Sequence, residues 1–216
     1  MSDLRARLLR VPALAVDDDP GWARPPASGV GRHSAVLMLF GEGSDPGGGA
    51  DVLLTERSRT LRSHAGQVSF PGGGVDPQDD GAVGAALREA TEETGLDPAG
   101  VEVIGVLPDV YLPPSRYVVT PVLAWWTSPS TVEPVDAAEV ASVVRAPLHE
   151  LADPANRVLA RHPSGFVGPA FRVQGLYVWG FTAGLLARVL HLAGVELGWD
   201  ATPTEDLPDD VMALLP

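Results

Sequence analysis

Glu89, Glu92 and Glu93 fall in one short run, Leu87-Arg88-Glu89-Ala90-Thr91-Glu92-Glu93-Thr94-Gly95-Leu96. Gly95 offers a left-handed stop and Asp79 or Asp80 an N-cap, so the spacing predicts a helix from Gly81 to Thr94. Steps of three and four then put the three acids on one face of its last turns. Each like-charged pair there costs about 0.2–0.5 kcal/mol, and the negative end of the helix dipole adds to the penalty. Two arrangements relieve it. Arg88 reaches Glu92 one turn on, an ordinary solvated ion pair that leaves Glu89 and Glu93 unanswered. A divalent cation held by carboxylate oxygens, its shell completed by water and substrate phosphate, answers both.

Upstream residues extend the pattern. Gly74, Asp80, then Arg88-Glu89-Ala90-x-Glu92-Glu93-x-Gly95-Leu96 resembles the signature box of the Nudix hydrolases, G-x5-E-x7-R-E-U-x-E-E-x-G-U, where U is a bulky aliphatic residue. Two positions depart: Asp80 stands in place of Glu, and Ala90 in place of a larger residue. Just before the box, Leu53-Leu54-Thr55-Glu56-Arg57-Ser58, Arg62, Gly66 and Phe70-Pro71-Gly72-Gly73 is similar to the L-L-T-x-R-S-x3-R-x3-G-x3-F-P-G-G signature of the coenzyme A pyrophosphatase branch. Val178-Trp179-Gly180-Phe181-Thr182-Ala183 is also similar to a segment of that branch, so the likeness runs from Leu53 to Ala183.

The resemblance implies a chemistry. Hydrolysis of a diphosphate needs neutralised phosphoryl oxygens and an activated water, both of which divalent metals supply. Glu89, Glu92 and Glu93 carry over as ligands of Mg2+ or Mn2+, with the Gly73 carbonyl a further ligand. One glutamate doubles as general base, and the pattern does not choose which. Arg88 carries over as the residue that orients them. The implied activity cleaves coenzyme A or its thioesters to 3′,5′-ADP and a 4′-phosphopantetheine compound. Alternatives are a Nudix hydrolase of other nucleoside diphosphate derivatives (NADH, ADP-ribose, nucleoside triphosphates) and a non-catalytic nucleotide sensor.

Gly72, Gly73 and Gly74 read either as a tight turn after a strand or as bare backbone that can approach metal and diphosphate. The segment 57–64 holds Arg57, Ser58, Arg59, Arg62 and His64, a basic cluster in a chain of net charge −13. It is either a solvated loop or, with Arg57, Ser58 and Arg62 on the branch signature, a clamp for substrate phosphates. Tyr117, Trp125 and Trp126 could stack an adenine, but aromatics in a strand pattern belong more often to a core.

The elements that must hold these residues follow the apolar pattern. Strands are expected at Ala35–Phe40, Asp51–Thr55, Gln67–Phe70, Val101–Leu107, Tyr117–Trp126, Val140–Arg145, Arg157–Arg161 and Phe171–Val178. A helical turn is expected over Pro147–Leu151 and a closing helix over Trp179–Ala193. This is an α/β protein. The resemblance makes it an α/β/α sandwich with a mixed sheet and the box as loop-helix-loop. Residues 1–30 read as an extension with a short amphipathic helix, 31–198 as the Nudix domain and 199–216 as an acidic, proline-broken tail expected to be poorly ordered.

Composition bounds the rest. The 216 residues, 45% hydrophobic, suit one ample core. With no cysteine there are no disulfides or thiolate metal sites, which fits a cytoplasmic protein. The five histidines lack zinc-ligand spacing. The N-terminus has no continuous apolar stretch of the secretory kind. Leu176–Leu197 is apolar enough to suggest a membrane span, but Arg188 near its middle argues for a buried helix with Arg188 and His191 at its wetter edge. The acidic balance argues against nucleic acid. Expected partners are a small-molecule diphosphate and, at most, a second copy in a homodimer, with no membrane.

Overall fold

The computed structural model describes residues 3–17, 31–43, 49–61, 63–113, 115–201 and 203–215. At its centre, β1 (Arg32–Glu42) and β7 (Tyr117–Trp126) run parallel along nearly their whole length. Both are buried on either face, so both lack the apolar-polar alternation of a half-exposed strand. Because β7 takes one edge of β1, the other is divided: β2 (Ala50–Arg57) pairs antiparallel with Phe40–Glu42, and β4 (Gly72–Gly74) with Ser34–Val36. β3 (Val68–Ser69) and β8 (Val140–Pro147) pair with β2, while β5 (Val101–Val106) and β6 (Val110–Leu112) pair with β7.

Two apolar layers cover this mixed sheet. On one face, α3 (Gly81–Thr94) lays Ala85, Ala86 and Ala90 against Ala35, Leu37, Leu39, Leu53, Val122 and Trp126. Small residues let the helix approach closely, so Ala90, fully buried, suits a layer that already contains a tryptophan. On the other face, α1 (Asp3–Leu8), α2 (Val11–Asp17) and α5 (Gly180–Leu192) close over Met38, Phe40, Val52, Leu54 and Leu123. The result is the expected α/β/α sandwich. A second sheet, of β9 (Arg157–Arg161), β10 (Val167–Val173), β11 (Leu176–Val178) and β12 (Thr204–Asp206), follows the short helix α4 (Leu148–Ala152).

Several expectations need correction. The run Phe171–Val178 is two strands, because Gln174 and Gly175 take positive φ (48° and 78°) and reverse the chain into a hairpin. The tail carries β12, which pairs parallel with β9, and the helical turn α6 (Asp209–Met212). Leu207 is buried with Ala160 and Ala170. Neighbouring backbone, absent from any local sequence window, orders this segment. Arg188 is buried rather than at a wet edge. Its Nη2 donates to the Ala15 carbonyl at 2.8 Å, near the C-terminal end of α2. Among the described residues no helix is long and apolar enough to cross a membrane.

Candidate active site

β4 and α3 build the site between them. Glycine suits β4 because a Cβ on Gly72 would collide with the Ala35 carbonyl and Val36, and one on Gly73 with the Glu89 carboxylate. α3 ends as its sequence requires: Gly95 is left-handed (φ 68°) and its N–H donates to the Thr91 carbonyl at 2.9 Å. The last carbonyls of α3 are also answered, by Glu133 N–H to Thr94 O at 3.0 Å and Val135 N–H to Glu93 O at 3.2 Å. The start differs from expectation. Asp80 occupies the N-cap position without a side-chain cap bond, and Asp79 is engaged elsewhere.

Its partner is Arg88, the hub of the site. Arg88 Nε and Nη2 donate to the two Asp79 carboxylate oxygens at 2.9 and 3.0 Å, a bidentate fork. Nη1 donates to Glu89 and to Glu92, both at 3.0 Å, and Nη2 also reaches the Gly74 carbonyl at 2.9 Å. One guanidinium thus ties α3, the preceding turn and β4 together. The Arg88–Glu92 pair is present, but Glu89 is not left unanswered, because the same nitrogen serves both. Hydrogen bonding to Arg88 holds the Asp79 carboxyl below its ordinary range, and Asp79 is the chief cause of the raised pKa of Arg88.

Glu93 is held differently: its Oε2 accepts the Gly72 N–H at 3.2 Å. Burial pushes its pKa up to about 7, against the lowering effects of the Gly72 N–H and the Arg57 charge and with the repulsion of Glu89 and Glu139. Burial also raises Glu89, with Arg88 opposing. Two partly desolvated carboxylates therefore flank the backbone of Gly72 and Gly73. Among the described residues no three acidic or histidine side chains form a preformed cage. Even so, the donors present are all oxygens and lean on bare backbone, the chemistry of a hard divalent cation.

The basic segment divides. Arg57 ends β2 within electrostatic range of Glu93, and its buried Nε has no hydrogen-bond partner. Ser58 is buried and its hydroxyl closes on Thr60 Oγ1 at 2.9 Å, so it holds the loop's shape. Arg62 lies outside the described residues. Trp125 and Trp126 are core residues at 5% and 2% exposure, which removes them as adenine platforms. Tyr117 stands apart from them, under the Arg32 guanidinium at 4.3 Å, and helps line a cavity of about 230 Å³ beside β4. Asp79 as the anchor of Arg88 and Leu112 and Phe181 as cavity walls were missed, because only the fold brings them together.

A NUDIX domain matches residues 31–164. The chain is 42% identical over 172 residues to the uncharacterized Nudix hydrolase NudL of Citrobacter koseri, covering 76% of this chain and 84% of that protein. NudL of Escherichia coli is 40% identical over the same length. Among solved structures, a NUDIX hydrolase from Nitrosomonas europaea aligns with a TM-score of 0.50 at 13% identity, covering 82% of this chain and 80% of that one. A MutT/nudix family protein from Enterococcus faecalis aligns with 0.50 at 14%, over 83% and 66%. The chain belongs to the Nudix family. Its class is that of the Nudix hydrolases, which act on phosphoanhydrides.

Proposed function

We propose that this chain is a divalent-metal-dependent pyrophosphohydrolase that splits the diphosphate of coenzyme A or its thioesters into 3′,5′-ADP and 4′-phosphopantetheine or its acyl derivative. The observation that supports this substrate is the likeness of the run Leu53 to Gly73 to the coenzyme A-type signature: its Leu53, Leu54, Thr55 and Arg57 lie on β2 and its Gly72 and Gly73 on β4, and Arg57 is within electrostatic range of Glu93. Coenzyme A carries a 3′-phosphate as well as its diphosphate, and an arginine fork with an unpartnered Nε suits such an anion.

Glu89, Glu92, Glu93 and the Gly73 carbonyl would hold Mg2+ or Mn2+. Bound there, the ion supplies charge neutralisation on the phosphoryl oxygens and acidifies water. The remaining work belongs to the chain. Arg88, anchored by Asp79, fixes the directions of Glu89 and Glu92. Gly72 and Gly73 keep the approach to the diphosphate clear of side chains. One carboxylate takes the proton of the attacking water as the bridging P–O bond breaks, leaving two phosphomonoesters.

A substrate panel with Mg2+ and Mn2+ tests this reading. Coenzyme A should turn over, and 3′-dephospho-coenzyme A should show a large loss in kcat/KM. Preference for NADH, ADP-ribose or a nucleoside triphosphate would move the enzyme to another branch. Glu93→Gln should bind substrate without releasing 3′,5′-ADP; a wild type that cleaves no diphosphate at all would mean a sensor.

A further inference from the structure

Three residues of β1 pair in register with the glycines of β4: Ser34 with Gly74, Ala35 with Gly73 and Val36 with Gly72. Ala35 and Leu37 belong to the α3 layer, so strand alternation turns Ser34 and Val36 to the opposite face, where both line the cavity. Arg32 is the next residue of that row, about 7 Å along the strand from Ser34. Its register partner on β7 is Tyr117, another cavity wall, and its guanidinium lies 4.3 Å from the centre of the Tyr117 ring. Arg32 therefore stands at the rim of the cavity, past the Gly74 end of the strand on which the carboxylates of Glu89 and Glu93 lean. Among the described residues β4 pairs with β1 alone, which leaves its outer edge open.

Two features fit that guanidinium to an anion. It is exposed, and among the described residues it makes no hydrogen bond or ion pair, in a chain whose acids outnumber its Lys and Arg by 28 to 15. Arg88, Arg157 and Arg172, by contrast, each hold a carboxylate. The ring, in addition, occupies the face of the guanidinium and not its edge. Stacking thus limits the side chain's freedom while its in-plane N–H groups stay available to fork two phosphate oxygens. The described lining of the cavity includes no Asp or Glu to compete, and the Ser34 hydroxyl adds a donor on the same face. An anionic substrate that approaches Glu89, Glu92 and Glu93 meets like charge, and a cation at this rim offsets part of that cost.

We infer that Arg32, braced on Tyr117, binds a phosphate of the substrate, either the diphosphate itself or a further phosphate ester on the same molecule. This rests on the pyrophosphohydrolase reading, whichever diphosphate is cleaved. The test is Mg2+-supported kinetics on coenzyme A and 3′-dephospho-coenzyme A with wild type, Arg32→Gln, Arg32→Lys and Arg10→Gln. Arg10 is exposed on the turn between α1 and α2, so its variant makes the same change in net charge elsewhere. Arg32→Gln should raise KM about tenfold or more, keep kcat within about threefold and leave the melting temperature unchanged, as loss of charge-assisted hydrogen bonds to a bound phosphate requires. Lysine should recover part of the loss, and Arg10→Gln should leave KM within about twofold. A rise in KM for both substrates locates the diphosphate, and a rise confined to coenzyme A locates its 3′-phosphate; either supports the inference. KM within about twofold for both, an equal rise in Arg10→Gln, or parallel falls in kcat and melting temperature overturn it while wild-type turnover still stands. Where another diphosphate of the panel is the one cleaved, the same comparison runs on that compound. A wild type that cleaves none overturns the function and the inference together.

Discussion

Glu93 is a carboxylate whose folded environment favours its proton, and that has a measurable sign. Below pH 4.5, its ordinary value, the group is protonated folded and unfolded alike and costs nothing. As pH rises toward about 7, the unfolded chain releases the proton while the folded one retains it, so stability falls and the loss is complete above that pH. In metal-free protein the loss should approach about 2–3 kcal/mol. Glu93→Gln should abolish it and leave the variant more stable than wild type at pH 8, measured by urea unfolding in chelator from pH 4 to 8. Identical profiles for wild type and Glu93→Gln would mean that Glu93 is not desolvated. Gly73→Ala makes a separate demand, since its Cβ meets the Glu89 carboxylate. It should cut kcat about 100-fold, because displacing a positioned group by about 1 Å has that effect.

At the scale of elements, Arg88 joins α3 to β4 and to the turn before α3. Asp79→Asn removes the charged partner of its fork without removing the arginine. A kcat loss of about tenfold or more with little change in melting temperature would mark Asp79 as a positioning residue. An equal loss in both would mark it as structural. The tail offers a second test. Leu214 lies beside Gly66 and Arg59, so the C-terminal segment packs on the loop proposed to hold phosphate. Leu214→Asp should raise KM for coenzyme A several-fold and leave kcat within about twofold. Leu207→Ala should cost about 2–3 kcal/mol in urea unfolding, because the leucine is buried at 4% exposure between the tail and β9–β10.

At the scale of the molecule, the proposed function asks a chain of net charge −13 to bind a polyanion beside Glu89, Glu92 and Glu93. A divalent cation resolves that conflict, and Arg57 beside Glu93 contributes locally. Chelator should reduce turnover to background and Mg2+ or Mn2+ should restore it. Metal at about 100 times its dissociation constant should raise stability by about 2.7 kcal/mol, read as a shift in melting temperature. Stability indifferent to metal would count against ligation by Glu89, Glu92 and Glu93.

Continuous apolar runs, the stop at Gly95 and the spacing of Glu89, Glu92 and Glu93 are local properties, so the helix 81–94, the central strands and the family were legible before any fold was known. Helix pitch and strand alternation translate spacing directly into faces. Other features depend on chain distant in sequence. Asp79 rather than Asp80 matters because a guanidinium nine residues away needs a bidentate partner. β12 forms because β9 offers it a free edge, and Trp125 and Trp126 are closed off because a sheet has two covered faces. Hydrogen-bond partners and burial are pairwise quantities, and tertiary structure alone decides which pairs meet.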